Sequence, residues 1–192
     1  MEKIIGRYKV KVIQDSDPSS PRHDDNLGTM VCFHSRYDLG DKHDYDHKDY
    51  GGWKEMLKAI DKREDACIIL PLFLLDHSGI TMSTKDFNDR WDSGQVGYIF
   101  VSKKKVREEY SVKRITKAIA EKACSVLEAE VETYDQYLRG DVYGFEIWKL
   151  GKKSGKEKEM IDSCWGYYGE DECMKEGEAC VPEQVLPEVV EV

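Results

Sequence analysis

At 192 residues, with 40% hydrophobic and 35% charged side chains, the chain is long enough to bury a sizeable core beneath a strongly charged surface. Its longest apolar run, residues 66–75, falls well short of the ~20 residues that span a bilayer, and the N-terminal MEKIIGRYKV lacks a signal-peptide hydrophobic region. The net charge of −9 is unevenly placed: residues 169–192 hold eight acidic side chains against one lysine, whereas residues 103–117 hold seven basic against two acidic.

Residues 7–14 alternate, with Tyr8, Val10 and Val12 on one side and Lys9 and Lys11 on the other, which predicts a half-buried strand. DSDPSSPRHDDN is a loop. TMVCFH, residues 29–34, reads as a second and central strand. HSRYDLGDKHDYDHKDYGG follows, with three of the five histidines and five aspartates. Trp53, Met56, Leu57 and Ile60 then mark a helix over 53–63. CIILPLFLL, residues 67–75, is a buried strand in which Pro71 demands a bulge or an open edge. Residues 76–94 form a long connection, a length that is often functional, before a strand at 95–102. Helical pattern begins at 103. Val112, Ile115, Ile119, Ala123 and Val126 predict one apolar stripe on a long helix that Gly140 ends. Strands at 141–150 and 157–165 flank a GKKSG turn, and a short helix and a Pro-containing acidic tail close the chain. The sum is an α+β fold: a mixed, mostly antiparallel sheet of five or six strands with one long and several short helices on one face. It reads as a single domain over residues 1–168 followed by an acidic helix and tail at 169–192.

Six cysteines without a CxxC pair support neither a zinc ribbon nor a thioredoxin-type motif, and without an export signal they imply a reducing cytoplasm. Three strands end in polar clusters. If those ends lie side by side, histidine and aspartate converge at one sheet edge, where sites are commonly built. A divalent metal, the one cofactor these residues allow, would take His34, Asp41, His43, Asp76 and His77. The same residues equally serve as hydrogen-bonding pins for the strand ends. DYDHKDY lacks the glycine and distal glutamate of a calcium loop. Cys164 or Ser78 with a histidine is a further, nucleophilic reading, but GxSxG is absent, and so are the phosphate loops GxxxxGK[ST] and GxGxxG. Lys103, Lys104, Lys105, Arg107, Lys113 and Arg114 form a cationic cluster suited to phosphate, or simply a solvated helix face.

DNLGTMVCFHSRYDLGDKHD, LDHSGITMS, RWDSGQVGYIFV, VETYDQYLRGDVYGFEI and DSCWGYYGED, between residues 12 and 171, resemble a family of small proteins of tailed phages, prophages and mobile elements. The resemblance carries no catalytic residue. It implies an inhibitor of host defence, anti-CRISPR or anti-restriction in type, working in the cytoplasm of the infected host. Its expected partners are a host defence nuclease and DNA, not a membrane. His34, Arg36 and Tyr37, in the shared CFHSRYDLGDKHD string, then become binding candidates beside the cationic cluster. A metal-dependent hydrolase or nuclease built on the His/Asp cluster is the alternative.

Overall fold

The protein, a computed structural model, is described over residues 1–151 and 154–182. Its strands are β1 (Glu2–Ile5), β2 (Tyr8–Gln14), β3 (Thr29–Cys32), β4 (Ala66–Asp76), β5 (Ile80–Ser83), β6 (Ser93–Ser102), β7 (Val142–Leu150) and β8 (Glu157–Tyr168). Its helices are α1 (Trp53–Glu64), α2 (Lys103–Glu109), α3 (Lys117–Leu138) and α4 (Glu170–Ala179), with 3₁₀ turns at Pro21–His23 and His47–Asp49. The fold is α+β. Among the described residues no helix is long and apolar enough to cross a membrane.

The single sheet of five or six strands expected from the sequence is replaced by two antiparallel four-stranded sheets, ordered β1-β2-β7-β8 and β3-β6-β4-β5. Val10 on β2 pairs with Ile147 on β7, so the chain returns to its first sheet only after building the second. The chain correspondingly forms two compact units, Met1–Ser19 with Gly140–Val192, and Ser20–Arg139.

In the first unit, the alternation of β2 sends Val10 and Val12 to join Phe145 and Ile147 beneath Cys173 and Met174 of α4. Lys9 and Lys11 face the other way and pair with Glu2 and Glu157. The acidic segment that starts at 169 thus opens as a packed helix. Residues 152–153 of the expected GKKSG turn, and the tail after residue 182, lie outside the described residues.

In the second unit β6 is covered on both sides. Tyr98 and Phe100 meet Met56 and Ile60 of α1, while Ile99 and Val101 meet Val106 of α2 and Ala123, Leu127 and Val131 of α3. Helices therefore lie on both faces of this sheet rather than on one. That explains why β6 is buried without a break from Val96 to Val101 and does not alternate there. Gly97 lets β3 approach: a Cβ there would meet the Val31 carbonyl oxygen at 1.9 Å. β3 is an edge strand, not a central one. The expected 76–94 loop contains β5, which pairs with Phe73, Leu74, Leu75 and Asp76. Pro71 therefore sits where β4 has β6 alone as its partner, just before a register shift at Leu72/Phe73. Ser111 turns the chain with φ +51 after α2, and the long helix begins at Lys117, where the Thr116 hydroxyl caps it by accepting the Ile119 N–H. Its buried stripe runs through Ala123, Leu127, Val131 and Tyr134, leaving Val126 outside.

Candidate functional site

An exposed edge strand as apolar as β3 needs cover, and the segment after it supplies that cover by folding back. Val31 bridges Gly40. The Asp41 N–H donates to the Met30 carbonyl at 2.9 Å, and the Met30 N–H donates to Asp41 Oδ2 at 2.8 Å. Gly40 makes the return possible: its φ is +73, and a Cβ there would lie 2.8 Å from the Met30 oxygen. Its N–H donates to the Tyr134 hydroxyl at 3.0 Å.

Asp41 is fixed from beneath by Arg22, whose Nε and Nη2 donate to the two carboxylate oxygens at 2.9 and 2.6 Å. Arg22 also donates to Glu130 Oε2 at 3.2 Å and to the Gly28 carbonyl at 2.8 Å. Glu130 in turn accepts the N–H groups of Leu27 and Gly28. The guanidinium side chain is only 4% exposed. Burial works against its charge, but Asp41 and Glu130 outweigh it and raise its pKa. Sequence reasoning left Arg22 inside an ordinary loop. Its partner Glu130 is remote in the chain, and no local signal marks the arginine.

The strap holds out a crown at residues 33–39. His34 Nδ1 accepts the N–H groups of Arg36 and Tyr37 at 3.2 and 3.3 Å, and its ring stacks on Tyr37 at 4.8 Å. Arg36 lies over the Tyr37 ring at 5.4 Å and forms an ion pair with Asp76. Three open cavities border this segment. One of about 860 Å³ lies between Tyr37, Leu39, Arg22, Tyr134 and Tyr137. A second, of about 400 Å³, is bounded by His34, Arg36, Asp76, Trp91 and Asp92. The third, of about 600 Å³, is walled by Phe33, His34, Tyr37, His47 and Trp53.

His34 and Asp76 thus border one cavity, while His77 points its Nδ1 to Asp92 Oδ2 at 2.8 Å. The five-residue metal set does not form. Asp41 is committed to Arg22 and the Met30 N–H, and Asp76 to Arg36. His43 uses Nε2 on the Cys32 carbonyl at 3.0 Å; a carbonyl only accepts, so that nitrogen carries the proton and the buried Nδ1 is left without a partner. Among the described residues no three His, Cys, Asp or Glu side chains come together as a metal site. The Cys32 thiol is pushed up to about 12 by burial, with Asp41 adding to the effect, which makes it inert as a nucleophile. Cys164 is exposed on β8 in the first unit, whereas all five histidines belong to the second. Ser78 occupies the tight β4–β5 turn with φ +57.

The cationic cluster is partly spent on structure. Lys103 pairs with Asp65 at 2.6 Å, Lys105 donates to the Asn26 carbonyl, and Lys104 lies 3.9 Å from Glu108. Arg107 is half-buried on α2, and Lys113 and Arg114 are exposed in the link to α3. Comparison with protein-family models, with curated proteins and with solved structures finds no significant match.

Proposed function

We propose that this chain is a phage-encoded inhibitor, anti-CRISPR-like in action, that binds a nucleic-acid-targeting defence nuclease stoichiometrically through the crown at residues 33–39 and its flanks. The observation that carries the reading is the division of labour around Asp41. A part-buried charge network fixes the base of the segment, and Arg36, Tyr37, His34 and Trp53 are left beside open cavities. Arginine, tyrosine and tryptophan on a rigid frame are the residues that dominate binding energy at protein interfaces. The sequence resemblance to small phage proteins supports the inhibitor class. The geometry favours protein over DNA as the partner, because Lys103 and Lys105 are already engaged. A metal-dependent hydrolase loses its ground, since its ligands are held apart in separate structural bonds.

The test is a titration of the protein against a panel of defence nucleases, read as cleavage of target DNA. Inhibition is expected to saturate at a fixed ratio of chain to nuclease. Arg36→Ala with Tyr37→Ala should weaken it by at least about tenfold while leaving the fold intact. Full inhibition far below the nuclease concentration would mean turnover and would end the binding reading.

A further inference from the structure

We propose that Cys164 and Cys180 form an oxidation site: a peroxide joins their two exposed thiols in a reversible disulfide that staples β8 to the end of α4. The inference is independent of the binding reading and concerns the first unit alone.

Cys164 stands opposite Phe145 in the β7–β8 register, and directly opposed residues point to the same face of a sheet. That face is the one α4 covers, because Phe145 packs with Cys173 and Met174 of the helix. The helix makes a close approach at Gly177, where a Cβ would lie 2.7 Å from the Val10 side chain and 3.1 Å from the Phe145 ring. Cys173 precedes Gly177 by four residues and Cys180 follows it by three, so both cysteines share the sheet-facing line of α4. Tyr167 ties the arrangement together. Its ring lies 5.6 Å from Phe145. The neighbouring Cys164 thiol is the largest cause that pushes its pKa up to about 12; burial follows, and Glu176 and Cys180 add to it. One phenol therefore neighbours both Cys164 and the last turn of α4.

Exposure selects the pair. Cys164 and Cys180 are exposed, whereas Cys173 is fully buried. The Cys173 thiol is pushed up to about 11, by burial first and by Cys164 second, so its reactive thiolate is scarce and sealed from a peroxide. Cys173 and Cys180 do not pair with each other, because seven residues of helix separate their Cα atoms by about 10 Å and a disulfide spans less than about 7 Å. The chemistry takes two steps. One thiolate attacks a peroxide oxygen; the O–O bond breaks, leaving a sulfenic acid and one water. The second thiolate attacks that sulfur; the S–O bond breaks, and the departing hydroxide takes up a proton as a second water. The two sulfurs lose two electrons and the peroxide gains them. In a reducing compartment such a bond is transient and forms only when an oxidant is present.

The experiment exposes the full, reduced chain to hydrogen peroxide. Expected are the loss of two free thiols per chain, a monomer on a non-reducing gel, and reversal by dithiothreitol. The bond closes a loop of about 15 residues, so the oxidised chain should unfold at least about 5 °C higher. Trypsin cuts after Lys175, so the bond should join the peptide that carries Cys164 and Cys173 to the one that carries Cys180. Cys164→Ser and Cys180→Ser should each abolish that junction, and Cys173→Ala should keep it. Should Cys173→Ala not fold, fragmentation of the joined wild-type peptides names the bonded sulfurs directly. A junction that survives in Cys164→Ser, a bond between Cys164 and Cys173, a disulfide between two chains, or thiols oxidised singly without a bond each overturns the proposal.

Discussion

Two arginine–aspartate pairs lie in the same unit and serve opposite ends. In each the carboxylate side chain is 21% exposed, but Arg22 is 4% exposed and Arg36 66%. Arg22 spends its N–H groups on Asp41, Glu130 and a carbonyl, and those carboxylates are completed by backbone N–H groups. Arg36 spends itself on one aspartate and the face of one tyrosine. The comparison teaches that residue type does not mark a functional charge; the number of bonds it has already made does. A guanidinium with every direction occupied builds the frame, and one with directions to spare is available to a partner.

The comparison can be broken first at the frame. Arg22→Met keeps the volume but leaves Asp41 and Glu130, part-buried at 21% and 12% exposure, with backbone N–H groups and no cation, a change that costs up to about 3–5 kcal/mol. Urea denaturation should show this as a lower midpoint with an unchanged slope. A loss below about 1 kcal/mol would erase the distinction between the two pairs.

Cys32, beneath the same strap, offers a subtler probe. Its thiol is pushed up from an ordinary value of 9.0 to about 12 in the folded protein, by burial first and by Asp41 second. An acid whose folded pKa is raised costs nothing while both states stay protonated, below pH 9. Above that the unfolded chain releases a proton that the folded one keeps, so stability falls as pH climbs towards 12. At pH 10.5 this amounts to roughly 2 kcal/mol. Cys32→Ala pays a packing penalty at every pH, but the difference from wild type should narrow by about that amount between pH 7.5 and 10.5. Parallel stability curves for the two proteins would show that the thiol is not sealed by the strap.

Much of this architecture was legible along the chain, and what was missed is nonlocal. Alternation located β2, and helical spacing located α1, because both signals live within a dozen residues. The apolar run of β4 and the Pro71 irregularity were equally local. Four residues are too few to show a period, so β5 passed for loop. The partition into two sheets depends on β2 pairing with β7 across an entire inserted unit, which no window can contain. At the site, the string after β3 reads as a polar cluster in sequence and folds back along that strand, yet Asp41 reads as a metal ligand when it belongs to an arginine.

The smallest effect expected is on the crown, and it sharpens the comparison most. Arg36→Ala removes a pair whose arginine is two-thirds in water, and exposed pairs are worth about 0.2–1 kcal/mol after the entropy of holding the side chain is subtracted. Stability should change by no more than about 0.5 kcal/mol, in the range of ordinary surface substitutions. A double-mutant cycle separates this from side effects. The coupling between Arg36 and Asp76 should be within that exposed-pair range and vanish near 1 M salt, where the screening length is about 3 Å. The coupling between Arg22 and Asp41 should be several times larger and survive the same salt, because solvent ions do not reach a guanidinium that is 4% exposed. Equal couplings, or equal salt sensitivity, would mean that the two pairs do the same work, and Arg36 would then have no better claim on a partner than Arg22.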